Sequence, residues 1–130
     1  MKKIFRILSV SLLFCLCVSF LSFAGKEGLA ASGSTLKGIT WKYYTGEDDE
    51  NGYPRYLKNQ WRQFESGWCY FGEDGLTMPG SWALINEKWY YFDENSLMLH
   101  DTTTPDGYTV GSDGAWVKDG QVVVETVANN

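Results

Sequence analysis

Six identities recur in a single register of 21 along this chain: Trp61 and Trp82, Trp68 and Trp89, Tyr70 and Tyr91, Phe71 and Phe92, Glu73 and Glu94, Leu76 and Leu97. A fixed stride of this length marks a repeat, in which each unit is too small to bury its own apolar face and must stack on its neighbours. The two good units are Trp61 to Gly80 and Trp82 to Asp101. Partial units flank them. Trp41-Lys-Tyr43-Tyr44 has the spacing of Trp68-Cys-Tyr70-Phe71, and Tyr108 to Gly114 follows the outline of Tyr90 to Ser96.

Each unit reads as a hairpin. Trp82-Ala-Leu-Ile is a short apolar strand, Asn86-Glu-Lys88 a polar turn, and Trp89-Tyr-Tyr-Phe92 an aromatic strand of high β-propensity. Asp93 to Ser96 then turns the chain towards the next unit, as Asp74-Gly75 does one repeat earlier. A lone two-stranded hairpin is marginal in water. The expected fold is all-β, a solenoid of stacked β-hairpins over residues 41–117, because stacking lets aromatic rows cover one another. No segment after residue 24 has helical periodicity. Residues 25–40, rich in Gly, Ser and Ala, read as a flexible linker. Residues 118–130 read as a tail that either caps the stack as a last strand or stays disordered.

The first 24 residues differ from the rest. Lys2, Lys3 and Arg6 give a positive start, and Ile7 to Phe23 is apolar apart from four serines. Ser22-Phe23-Ala24 then offers small residues at a cleavage site, with Ala30 or Ala31 as a later choice. This is the pattern of a secretory signal helix, and a retained anchor is the alternative. Phe14 before Cys15 and Leu16 before Cys17 argue against a lipoprotein. Cleavage after Ala24 leaves 8 basic against 16 acidic residues, a net charge of −8. That sign argues against a basic patch for nucleic acid and suits a cationic ligand. Only Cys69 remains, so no disulfide can form within the mature chain. All six Trp, all eight Tyr and three of the seven Phe lie beyond residue 24, and they must supply most of a small core.

The run Gly67-Trp-Cys-Tyr-Phe-Gly-Glu-Asp-Gly75 to Trp82, followed by Lys88-Trp-Tyr-Tyr-Phe-Asp-Glu-Asn95, resembles the cell-wall-binding, or choline-binding, repeat of Gram-positive surface proteins. Thr104-Pro-Asp-Gly-Tyr108 to Trp116 resembles a terminal unit of such proteins, and Gly52-Tyr-Pro54 ahead of Asn59-Gln-Trp61 a variant first unit. The resemblance implies a left-handed hairpin solenoid that is secreted to the cell wall or surface. It implies choline of teichoic acid, or another cell-wall polysaccharide, held between hairpins by Trp, Tyr and a nearby Met. Carried over by motif, one site draws on Trp61, Trp68, Met78, Trp82 and Tyr91. Trp89 serves the next, with a partner near Tyr108, although Thr103 stands where a Trp would match Trp82. Cys69, Ser96 and Leu99 depart from the pattern, and they motivate an alternative: a degenerate repeat acting as a structural or protein-interaction module, with self-association among its partners.

Independently of the name, a quaternary ammonium has no N–H to donate, so aromatic faces hold it better than a carboxylate alone, at roughly 0.5–2 kcal/mol per contact. The sequence calls for no cofactor, no metal, no nucleic acid, no membrane partner after cleavage and no catalysis. Counted from Asp48, an EF-hand loop would need Glu at its twelfth position, where Asn59 stands, so Glu47 to Gly52 reads as a solvated acidic loop. His100-Asp101 has no partnering nucleophile motif. Asp93 and Glu94, adjacent along the chain, do not read as a pair converging on one bond. Cys69 reads as a small packed residue.

Overall fold

The computed structural model describes residues 26–127. They form an all-β chain of eleven strands: β1 (Gly28–Thr35), β2 (Gly38–Asp48), β3 (Pro54–Tyr56), β4 (Gln60–Phe64), β5 (Gly67–Phe71), β6 (Ser81–Ile85), β7 (Lys88–Phe92), β8 (Thr102–Thr103), β9 (Thr109–Val110), β10 (Trp116–Lys118) and β11 (Gln121–Val122). Pairing is antiparallel throughout, in sheets β1-β2-β3, β4-β5, β6-β7 and β11-β10-β9-β8. The signal helix expected over residues 1–24 lies outside the described residues.

The linker expected over residues 25–40 is corrected by the structure. Residues 28–35 are β1, which pairs with β2 from Gly28↔Tyr44 to Thr35↔Gly38 with one bulge. Leu29 packs against the first core cluster. Small residues give this strand no signal of its own; β2 imposes it by supplying a backbone edge. The return into β2 depends on Gly38, where an added Cβ would collide with the Glu94 carbonyl.

Register decides which face each hairpin turns to which neighbour. In β4–β5, Trp61 opposes Tyr70 and Gln63 opposes Trp68, so these four share one face. Arg62, Phe64, Cys69 and Phe71 share the other. That second face meets Tyr43 and Leu29 in one core cluster. The Trp61–Tyr70 face meets Ala83, Ile85, Tyr90 and Phe92 of β6–β7 in another. The β4–β5 hairpin therefore buries opposite faces against successive neighbours. The β6–β7 connection, Asn86-Glu87, has φ of 48° and 67°, the type I′ geometry that matches strand twist.

Between hairpins, one turn occurs five times among the described residues. Its first N–H donates to the carbonyl four residues on: Asp49 to Tyr53, Gly72 to Leu76, Asp93 to Leu97, Thr104 to Tyr108 and Gly111 to Ala115. Its fourth residue has positive φ each time: Gly52, Gly75, Ser96, Gly107 and Gly114. Where the first residue is Gly, Asp74 or Asp113 accepts a backbone N–H; elsewhere Asp49, Asp93 or Thr104 does so from the first position. The acidic loop at residues 47–52 is thus one copy of this turn. The Tyr53 and Asn51 N–H groups hold the Asp49 carboxyl below its usual range.

Ser96 is the one non-glycine at the fourth position, with φ 65° and no exposed surface. Its hydroxyl accepts from Thr77 Oγ1 at 2.9 Å and donates to the Ile39 carbonyl at 2.8 Å. Thr77 Oγ1 in turn accepts the Trp41 N–H at 2.9 Å. A buried polar chain thereby ties two turns to β2, and its bonds offset the strain of a left-handed serine.

Candidate functional site

On β6–β7 the face away from β4–β5 carries Trp82, opposite Tyr91, and Trp89, opposite Leu84. This face meets the end of the described chain. Tyr108 closes the turn of residues 104–108, its N–H on Thr104 Oγ1 at 3.1 Å. Trp116 opens β10, held opposite Val110. Trp82, Trp89, Tyr108, Trp116 and Asp106 line an open cavity of about 320 Å³. Tyr108 stands at 89° to Trp82, with centroids 5.7 Å apart, and at 89° to Trp116, 5.4 Å away. Tyr91 backs Trp82 at 5.3 Å and 75°. Rings set perpendicular to one another make the walls of a box rather than a stack.

Asp106 is the acidic wall. Its carboxylate accepts from Thr104 Oγ1 at 2.5 Å and from Trp82 Nε1 at 2.8 Å. These bonds, the Thr104 one foremost, hold it below the usual carboxylate range, so it is an anion at neutral pH. A cavity with four aromatic walls and a fixed anion can hold a soft organic cation.

The residues singled out from sequence separate into two groups. Trp82, Trp89 and Tyr91 share the face that opens on the box. Trp61 is turned elsewhere. Its ring lies 5.2 Å from Tyr70, 4.9 Å from Tyr90 and 5.8 Å from Phe92. Tyr90 and Phe92 alternate with Trp89 and Tyr91 along β7, so Trp61 meets the opposite face of the hairpin from Trp82 and Tyr91. The five residues grouped as one site are not brought together, and period-2 alternation is the reason. Trp68 is 38% exposed, and its carbonyl accepts the Met98 N–H at 2.8 Å. Met78 packs against the Ala83–Ile85–Phe92 cluster. It also flanks a concavity of about 530 Å³ over residues 72–78, which has no aromatic wall.

The resemblance gives Trp89 a partner near Tyr108, and Tyr108 lines the cavity with it. The pattern leaves Trp116 and Asp106 unassigned. Trp116 follows Trp89 by 27 residues, outside the 21 register, because successive turns in the terminal unit begin only 11 and 7 residues apart, at 93, 104 and 111. Asp106 is an exposed turn acid inside the Thr104 to Tyr108 stretch of the terminal unit, which gives it no role of its own. Elsewhere, burial pushes the Cys69 thiol up to about 12, which leaves it a packed, unreactive group. His100 Nδ1 sits 2.9 Å from Asp101 Oδ2 as an exposed surface pair.

Residues 79–116 match the choline-binding repeat family. The matched span contains all five residues that line the box. Among solved structures, it is similar to the choline-binding domain of Spr1274 from Streptococcus pneumoniae, at 26% identity and TM-score 0.47, covering 59% of this chain and 86% of that one. It is similar to the modular Cpl-1 endolysin complexed with a peptidoglycan analogue, at 27% identity and TM-score 0.47, covering 72% of this chain and 25% of that one. It is also similar to the autolysin LytC from Streptococcus pneumoniae, in complex with a synthetic peptidoglycan ligand, at 22% identity and TM-score 0.45, covering 60% of this chain and 21% of that one. The chain thus spans about a quarter of the endolysin and a fifth of the autolysin. Comparison with curated proteins gave no match.

Proposed function

We propose that this chain is a secreted, non-catalytic cell-wall-binding module of a Gram-positive surface. In this reading residues 1–24 are removed as a signal peptide and the stacked hairpins form a short solenoid. The box of Trp82, Trp89, Tyr108 and Trp116 holds choline of teichoic acid or the cationic group of a related surface glycan. The observation that carries it is the box itself, lying wholly within the span that matches the choline-binding repeat. The trimethylammonium would lie against the ring faces and the hydroxyethyl arm would point out of the open side, where a polymer continues. Several ring faces give roughly millimolar affinity, and attachment to a multivalent polymer raises it.

Titration of the full chain with choline, followed by Trp fluorescence, tests this. Saturable change at about millimolar concentration is expected; a flat response up to about 50 mM removes choline as the ligand.

A different reading, a degenerate repeat that binds protein partners or itself, draws on the Trp61 ring being packed against Tyr70, Tyr90 and Phe92. It expects dimers by light scattering that choline does not alter; a strict monomer ends it.

A further inference from the structure

Two indole N–H groups of the box are held by carboxylates from separate parts of the chain. Trp82 Nε1 donates to Asp106 Oδ2 at 2.8 Å. Trp89 Nε1 donates to Glu125 Oε2 at 2.5 Å. Both acids are fixed by their backbones. Asp106 sits in a turn closed by the Thr104–Tyr108 backbone bond. Glu125 sits at the end of a tail that is itself pinned. Val123 N–H donates to the Trp116 carbonyl, Val124 pairs with Lys88, and Glu125 N–H donates to the Glu87 carbonyl. The tail thus runs from one wall of the box, Trp116, to another, Trp89.

Such bonds act in two ways. A carboxylate accepting from an indole N–H pushes electron density into the ring, which makes its face more negative toward a cation. It also places a full negative charge beside the cavity. Both effects favour a cation, and neither helps a neutral group of equal shape. Ring faces alone would stack on a tert-butyl group or a sugar about as readily.

We propose that Asp106 and Glu125 are the specificity determinants of this box, selecting a trimethylammonium over a neutral group of the same shape. This rests on the box being the ligand site. The resemblance assigns a role to neither residue: Asp106 lies in the turn of the terminal unit and Glu125 in the tail.

The experiment compares choline with its neutral carbon isostere, 3,3-dimethylbutan-1-ol, in Trp-fluorescence titrations of the full chain. Wild type, Asp106→Asn, Glu125→Gln and the double variant are measured. The amides keep an acceptor oxygen for each indole, so the walls stay in place, and near-UV circular dichroism verifies that. In the double variant choline affinity falls roughly tenfold, while affinity for the alcohol stays within about twofold. Raising salt to about 1 M weakens choline but not the alcohol in wild type, an arm that needs no variant. An unchanged choline-to-alcohol ratio in the double variant, or equal salt sensitivity of both ligands, overturns the proposal and leaves the box standing. If wild type responds to neither ligand, the box reading fails and this proposal with it.

Discussion

The faces of β4–β5 and β6–β7 that carry the repeated Trp residues are built to one recipe and come to different ends. Trp61, Trp68 and Tyr70 on β4–β5 correspond, 21 residues on, to Trp82, Trp89 and Tyr91 on β6–β7. The β4–β5 face abuts another full hairpin, and Tyr90 and Phe92 close on Trp61 to make core. The β6–β7 face abuts the shortened terminal unit. There β8, β9 and β11 have two residues each and β10 three, and Tyr108 and Trp116 stand off as walls around a cavity. An aromatic face of this kind therefore becomes packed core or cavity wall according to what the next unit presents to it.

The sharpest way to break that contrast is Trp61→Ala. It should cost about 3 kcal/mol in urea unfolding, since a large ring is lost from a packed cluster, and leave the choline Kd of the folded protein unchanged. A shift in Kd beyond about threefold would mean that the two faces share one site. Next in size is Ser96→Ala, which takes the acceptor from the buried Thr77 hydroxyl and the donor from the Ile39 carbonyl. It should cost about 1–3 kcal/mol by the same measurement, again without moving Kd. Trp116→Ala should do the reverse: choline affinity falls roughly tenfold by calorimetry, with less loss of stability than at Trp61.

The smallest effect concerns pH. Asp106 in the folded chain titrates below its ordinary 3.8, so its favourable contribution is complete above that value and is lost as pH falls through the lowered one. With both proposed carboxylates in play, choline affinity should be flat from neutral to about pH 5 and weaken only in the acid range below it. Weakening that begins near pH 6 would point to a different group.

Much of the fold is legible in the sequence. The 21-residue register announces hairpins and marks Trp82 and Trp89 without any knowledge of contacts, and Tyr108 enters through the outline of the terminal unit. The strand β1 is not legible, because Gly28 to Thr35 lacks any apolar alternation and owes its form to β2. The grouping of Trp61 with Trp82 and Tyr91 does not hold, because spacing along a chain says nothing about which face of the next hairpin is met. Ser96, a departure from the glycine of its repeat, carries a bonding role that no local pattern announces.

The sequence by itself determined the hairpin unit, its aromatic strands and its turn residues, since these follow from local propensity and from a period of two. The tertiary structure alone decided which aromatic face closes and which opens, and which two acids reach the indoles. Those outcomes depend on where the terminal strands and the tail come to rest, and that placement is set by long-range backbone bonds such as Val123 to Trp116 and Glu125 to Glu87.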